Sequence, residues 1–319
     1  MLFPGFYGNQ EAKSRVSRML EEQRFPQAIL IEGDRGCGKR TFARIIAQAL
    51  VCRSDGERPC GVCAQCRKAE TGNHPDFLTL EGGEALRSFS VEKIRSLRNE
   101  ANIRPNEAPC KIYFLFRAHT MTDQAQNALL KILEEPPGPS CFLLTCESAK
   151  QMLTTIVSRC VVLSLIGVPE AEACEAVSAL CPKATPYELA QAAHLWGGNI
   201  GRMAETLSGG TLTRASELAE QIAQSMFGRD ETAILTTTAP LCRDRDLFRS
   251  VFGILSMRFL DALQGNTALF PAPLSQARLI RLYDITRECI DAADRYVNPT
   301  LLVTYACSQL RKASGAGLR

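Results

Sequence analysis

The chain of 319 residues reads as an α/β module on a parallel sheet, followed by a second half that is all helix. Three observations lead there. Short apolar runs alternate with helix-period segments through the first half, the pattern of a parallel sheet with helices on both faces. A Gly-rich turn follows the first of these runs and opens a helix. The strand signal then stops after about residue 166.

Five runs are expected as strands: 28–32 (AILIE), 77–80 (FLTL), 111–116 (KIYFLF), 141–146 (CFLLTC) and 160–163 (CVVL). Each is short, apolar and bounded by turn residues, as a strand buried on both faces would be. The helix after the Gly-rich turn places Phe42, Ile45, Ile46 and Ala49 on one face. Between the third and fourth strands, Ala125, Ala128, Leu129, Ile132 and Leu133 recur at helical spacing. Thr122 is the expected N-cap, and Pro136-Pro137 the stop. Residues 168–207 read as a small set of helices, and Ser-Gly-Gly-Thr at 208–211 as a hinge. Further stripes follow: Leu212/Ala215/Leu218/Ile222, then Leu282/Ile285/Cys289/Ala292/Tyr296. The segment Gly265 to Pro273 between them reads as a loop, broken by Pro271 and Pro273.

Composition is that of a globular protein, with 45% hydrophobic and 22% charged residues, enough to bury a sizeable core. No apolar run approaches the roughly 20 residues of a membrane span, so no membrane partner is expected. MLFPGFYGNQ lacks the basic and apolar regions of a secretory signal, which points to the cytoplasm. With 37 Lys+Arg against 34 Asp+Glu the net charge is +3. That is too small to demand nucleic acid as a partner, unless the basic residues are grouped locally.

Residues 33–41, GDRGCGKRT, lie between a strand and a helix, the setting of a phosphate-binding loop. Gly33, Gly36 and Gly38 let backbone N–H groups close on phosphate oxygens. The helix N-terminus adds its dipole, and Lys39 reaches outward to the distal phosphates. A functional loop needs Ser or Thr directly after the Lys to hold Mg²⁺. Arg40 stands there, and Thr41 comes one residue late, about 100° further round the helix. Nor does the strand 111–116 end in the Asp-Glu pair that would bind Mg²⁺ and activate water; it ends in Phe116-Arg117. ATP or ADP binding is expected as possible here, with Gly33, Gly36, Gly38, Lys39 and Thr41 around it, and hydrolysis is not.

Of 14 cysteines, Cys110, Cys141, Cys146, Cys160, Cys174 and Cys181 sit in apolar runs, as small hydrophobes do in reduced cores. Cys52, Cys60, Cys63 and Cys66 are different. Their spacing, C-x7-C-x2-C-x2-C in a polar, turn-rich segment, suits a tetrahedral structural Zn²⁺ site. Four thiolates on one zinc carry a local charge of −2, which Arg53, Arg58, Arg67 and Lys68 are placed to offset. Disulfides are the alternative, disfavoured in a reducing compartment. His74, in HPDF, reads as a strand entrance rather than a further ligand.

Taken together, HPDF at 74–77, ALLKILEEPP at 128–137 and TTIVSRC at 154–160 resemble the bacterial clamp-loader subunits of DNA polymerase III. FYGNQEAKSRV near the start resembles the family's opening segment. GNIGR at 198–202 is similar to its second sensor motif, and VNPTLLVTYACSQL at 297–310 to its collar. The resemblance implies an AAA+ P-loop module with an inserted zinc segment, then a small helical lid and an all-α C-terminal collar. The boundaries it implies are 1–165, with the zinc insert at about 52–66, then 166–208 and 209–319. The family carries a similar zinc module, usually with a longer first spacing.

Within that family, Arg40 and Phe116-Arg117 place the chain closer to the delta-prime branch than to the ATP-hydrolysing gamma/tau motors. The lack of a long extension after the collar is expected to separate it from tau as well. The resemblance makes Arg159, of Ser-Arg-Cys, an arginine finger that reaches ATP held by the neighbouring subunit. A guanidinium suits that role because it stays protonated and offers a planar fork of donors. Thr145 matches the first sensor and Arg202 the second. Lys131 and Glu134 are read as structural or interfacial. The implied partners are gamma/tau and delta subunits, the sliding clamp through the assembly, and primed DNA held without sequence preference. Two alternatives remain: a motor subunit with unusual motifs, and a stand-alone zinc DNA-binding module. No helix with regularly spaced basic and base-reading residues favours the latter.

Overall fold

Five apolar segments pair into one sheet in the computed structural model, which describes residues 1–82, 89, 91–101, 103–135, 138–209, 211–228, 231–264, 274–294 and 297–315. The strands are β1 (Ala28–Glu32), β2 (Phe77–Glu81), β3 (Lys111–Phe116), β4 (Ser140–Cys146) and β5 (Val161–Ser164). They pair in the order β2-β3-β4-β1-β5, and every pairing is parallel. Each matches an expected run to within one residue at either end.

Parallel strands need crossovers, and helices supply them on both faces. In β1, Ile29 and Ile31 point into one apolar layer, Ala28 and Leu30 into the other. The first layer packs α1 (Gln10–Glu21) and α2 (Lys39–Val51) through Val16, Phe42, Ile45 and Ile46. The second packs α4 (Val91–Ala101), which follows the short α3 (Ala64–Glu70), and α5 (Asp123–Glu134), through Ile94, Leu97, Leu129 and Ile132. Thr122 caps α5 as expected, its hydroxyl accepting the Ala125 N–H at 3.2 Å. Phe6 and Phe3 lie against Phe42, with ring centres 4.8 and 5.7 Å away. Cys141 and Cys146 are buried, whereas Cys110, Cys160, Cys174 and Cys181 are half-buried.

The remaining elements are α6 (Thr154–Val157), α7 (Glu170–Leu180), α8 (Pro186–Trp196), α9 (Ile200–Ser208), α10 (Thr211–Ser225), α11 (Glu231–Thr238), α12 (Arg245–Leu263), α13 (Gln276–Asp294) and α14 (Pro299–Ser314). The chain divides into two compact units. One is Met1–Leu180 with Trp196–Arg202; the other is Cys181–Leu195 with Met203–Arg319. The segment 166–208, expected as a lid, supplies α7, α8 and α9 and contributes to both. The second unit is built round α12, whose Phe248, Val251, Phe252, Leu255 and Phe259 are buried with Ala215, Ile222, Leu282, Ile285 and Leu310. Pro136-Pro137, Gly210 of the expected hinge, the expected loop 265–273 and Tyr296 lie outside the described residues, as does the side chain of Leu212.

Candidate functional site

Parallel pairing sends the carboxyl ends of all five strands to one edge of the sheet, where ligands of open α/β sheets bind. The turn from β1 to α2 is there. Gly36 (φ +92°) and Gly38 (φ +81°) take left-handed conformations that side chains disfavour. A Cβ on Gly36 would also collide with Asn199 and come within 2.8 Å of the Arg202 nitrogen. The start of α9 packs directly on this loop: the Gly201 N–H donates to Gly36 O at 3.1 Å, and Asn199 Nδ2 to Arg35 O at 2.8 Å. Arg202 Nε also donates to Arg35 O, at 3.2 Å, and its guanidinium lies 4.7 Å from the centre of the Trp196 ring. The motif at 198–202 points to Arg202 in the sequence; Asn199, its second residue, also binds the loop.

Lys39 Nζ folds into the turn, donating to Gly33 O at 2.5 Å and Asp34 O at 2.8 Å. Burial draws its pKa below the ordinary lysine value, against the opposing pull of Cys37, Glu147, Cys146 and Asp34. Arg40 turns the other way. Its guanidinium pairs with Glu81 at the end of β2 and lies over the Phe116 ring, 5.2 Å from its centre. The two departures from a metal-binding site are therefore in contact. A guanidinium has no lone pair for Mg²⁺, and a phenyl ring can neither ligate it nor accept a proton. Thr41 is exposed on α2. Neither Arg40 nor Phe116 offers a ligand for Mg²⁺, and Lys39 Nζ is held by the loop's own carbonyls.

At the end of β3, Arg117 is left-handed (φ 61°) and its N–H donates to Thr145 Oγ1 at 2.9 Å. Thr145 is buried on β4, so its hydroxyl fixes the turn after β3. His119, just beyond, has its pKa lowered by burial, with Arg117 and Lys39 acting in the same direction and Glu147 against. Arg159 lies in the turn between α6 and β5. Its Nη2 pairs with Glu134 Oε1 at 2.6 Å, and its Nη1 donates to Thr155 O at 2.9 Å. Glu81 and Glu134, the partners of the two arginines, carry no sequence signal of their role, because strand register and helix packing bring them there.

The four cysteines Cys52, Cys60, Cys63 and Cys66 converge, all four sulfurs lying within 4.8 Å of one another. Cys60 and Cys66 Sγ are 3.9 Å apart, close to the ~3.8 Å edge of a tetrahedron with Zn–S bonds of about 2.3 Å. Backbone N–H groups of Cys60, Cys63 and Cys66 point at the sulfurs of Cys52, Cys60 and Cys63, each at 3.4 Å, as suits thiolates. Burial acts to raise the Cys63 thiol, but the Arg53 and Cys66 N–H groups and the neighbouring thiols bring it down to about 6. Burial pushes Cys66 up to about 12. The donor set fits a zinc ion. The basic residues behave differently from expectation: Lys68 Nζ binds the Glu107 carboxylate at 2.6 Å, Arg53 donates to Glu107 O, and Arg58 to Ser54 O. They organise the insert's own backbone and a neighbouring carboxylate rather than the sulfurs.

HPDF fastens the insert to the sheet. His74 Nε2 is 2.8 Å from Gln65 Oε1, next to Cys66, and His74 Nδ1 accepts the Asp76 N–H. Asp76, 2% exposed, accepts the N–H groups of Asn106, Glu107 and Ala108 at 2.6–2.8 Å.

A parallel sheet in which an interior strand, β1, feeds a Gly-rich loop, with a later helix start packed on that loop, is the arrangement of a P-loop type of α/β module. The chain belongs to the family described as "DNA polymerase III, delta subunit", whose sequence model matches residues 8–168. This is the clamp-loader family that the motifs resemble. DNA polymerase III subunit delta' of Bacillus subtilis is 37% identical over 154 residues, 47% of this chain and 46% of the relative. Subunit delta' of Yersinia pestis is 37% identical over 134 residues, 42% and 39% of the two chains. Subunit tau of Bacillus subtilis is 31% identical over 159 residues, 50% and 28%. The matched region spans less than half the length of these relatives. Among solved structures, a DNA polymerase III gamma subunit-related protein of Thermotoga maritima gives a TM-score of 0.44 at 15% identity, covering 95% of this chain and 99% of that one. The RuvB Holliday junction branch migration motor of Thermotoga maritima gives 0.47 at 14%, covering 97% and 87%.

Burial pushes the Asp76 carboxyl pKa up, but its three backbone donors together outweigh that and hold it below the ordinary aspartate value. A depressed carboxyl stabilises the fold above the unfolded-state pKa and loses that contribution as pH falls through the folded-state pKa. Asp76→Asn is expected to cost about 1–3 kcal/mol at pH 7. The difference from the unsubstituted chain should narrow as pH falls below the ordinary aspartate pKa and through the lowered folded-state one. Denaturant unfolding across that range checks it; an equal loss at every pH would contradict the assignment.

Proposed function

We propose that the chain is a delta-prime-type subunit of the DNA polymerase III clamp loader. Its own site does not hydrolyse ATP, and Arg159 acts in trans on ATP held by a neighbouring gamma/tau motor. The observation that carries this is Arg40 stacked on Phe116 and paired with Glu81, where a motor would hold Mg²⁺ and its acids. Gly33, Gly36, Gly38 and Lys39 would hold phosphate groups of ATP or ADP, and Thr145 and Arg202 keep the surrounding turns in place. Arg159 lies on a half-exposed turn. A guanidinium delivered from such a turn to an adjoining nucleotide stabilises charge on the transferred phosphoryl oxygens.

The helical second unit would join the ring with gamma/tau and delta subunits, and through that assembly the chain would support loading of the sliding clamp on primed DNA. A groove of ≈730 Å³ between α4 and α5 is lined by Arg95, Gln124, Asn127 and Lys131, among others. Two cations and two amides suit sequence-independent phosphate contact, which weakens with salt. No helix among the described residues is long and apolar enough to cross a membrane, and the proposed place of action is the cytoplasm.

Zinc completes the reading, held by Cys52, Cys60, Cys63 and Cys66 as a closed structural site that orders an insert without an apolar core. The full chain, purified without chelator, is expected to hold one zinc per molecule by elemental analysis, and Cys63→Ser to lose most of it. A metal-free chain with the same fold would remove the zinc assignment. For the catalytic role, Arg159→Ala is expected to leave assembly with the motor subunits intact and to lower ATP turnover of the reconstituted complex by about 10- to 1,000-fold per affected site. Undiminished turnover would remove the in-trans role.

A further inference from the structure

We infer that Glu134 is a resting counter-ion for Arg159, a restraint that the guanidinium must leave before it can act on a neighbour's nucleotide. The inference rests on the in-trans reading of Arg159. Glu134 is the last residue of α5, where a carboxylate meets the negative end of the helix dipole and is locally disfavoured. Here it meets Arg159 Nη2 at 2.6 Å. Nη1 is engaged with Thr155 O at 2.9 Å and approaches the Ser158 hydroxyl at 3.5 Å. Two edges of the guanidinium are thus turned inward, toward its own chain.

Charge decides what that arrangement can do. A guanidinium carrying a carboxylate at hydrogen-bond distance is a neutral pair, and the carboxylate repels a polyphosphate as the guanidinium attracts it. A finger works by bringing net positive charge to developing negative charge, so the paired form is a poor catalyst. The pair is also easy to part. Both side chains are half-exposed, 38% for Arg159 and 47% for Glu134, and a single exposed ion pair of this kind is weak. Arg159 can therefore exchange Glu134 for a triphosphate, which carries more negative charge, while remaining held when no nucleotide is presented. Glu134 is a positioning residue: it touches neither substrate nor reacting atoms, and it sets how readily Arg159 reaches them.

The test is steady-state ATP turnover by the full complex reconstituted with the motor subunits. It compares the unsubstituted chain with Glu134→Gln, Glu134→Asp, Arg159→Ala and the double variant Glu134→Gln/Arg159→Ala, after assembly and melting temperature are checked. Glu134→Gln keeps the shape and removes the charge, and is expected to raise kcat/KM for ATP about two- to fivefold, the range of an exposed ion pair. Glu134→Asp keeps the charge and should stay near the unsubstituted value. In the Arg159→Ala background Glu134→Gln should change nothing, because the group it restrains is gone. Unchanged or lowered kcat/KM in Glu134→Gln overturns the restraint, as does an equal gain in the Arg159→Ala background. Failure of the in-trans reading looks different: Arg159→Ala itself would leave turnover undiminished.

Discussion

Parallel pairing of all five strands is the constraint on which the site depends. It gathers the loop after β1, the left-handed turn after β3 and Thr145 of β4, which binds that turn, at one edge of the sheet. It also fixes their register: Glu81 lies opposite Phe116 in the β2–β3 pair, and Leu115 opposite Leu144 in the β3–β4 pair. Burial of both faces holds that register, since a slip of one residue would exchange the two apolar layers. Ile29, Leu30 and Ile31 are wholly buried in the middle of it. The catalytic potential of the edge is then a matter of which side chains the register delivers there.

What it delivers is a Gly-rich loop with a lysine, and beside it an arginine lying on a phenylalanine. The loop is well supported. Asn199 and Gly201 bind its carbonyls, and Gly36 has no space for a side chain. Beside the loop sits a cation whose charge Glu81 balances and whose flat face the Phe116 ring accepts; on the proposed reading it fills the position a motor gives to its metal. Arg40 and Phe116 together form a contact that suits both. On the proposed reading, the chain keeps the fold of a motor, leaves phosphoryl chemistry to a neighbour, and contributes to it through Arg159 at a surface turn.

Much of this is legible in the sequence, and the boundary is physical. Strands buried on both faces leave dense apolar runs, which is why 28–32, 111–116 and 141–146 stand out. The edge strand β2 leaves a thinner mark, with Thr79 and Glu81 exposed in a five-residue strand. Helix α4 leaves a weaker one, because Ile94 and Leu97 are set among charged residues. The cysteine cluster is legible because metal chemistry demands four donors at short spacing. The contacts that decide the site's behaviour join separate elements: Arg40 with Glu81 and Phe116, and Arg159 with Glu134. None follows from spacing along the chain. The basic residues around the four cysteines illustrate the same limit. Their number suggests compensation of the thiolates, and only the folded chain reveals that Lys68 is taken by Glu107.

The central claim is that the filled metal position removes hydrolysis from this chain's own site. The most direct measurement is ATP turnover by the purified chain alone, with Mg²⁺ and primed DNA, beside Lys39→Ala. The account predicts turnover indistinguishable from that of Lys39→Ala for the unsubstituted chain. Turnover that Lys39→Ala abolishes would contradict it, because another group would then have to hold the metal that Arg40 and Phe116 displace.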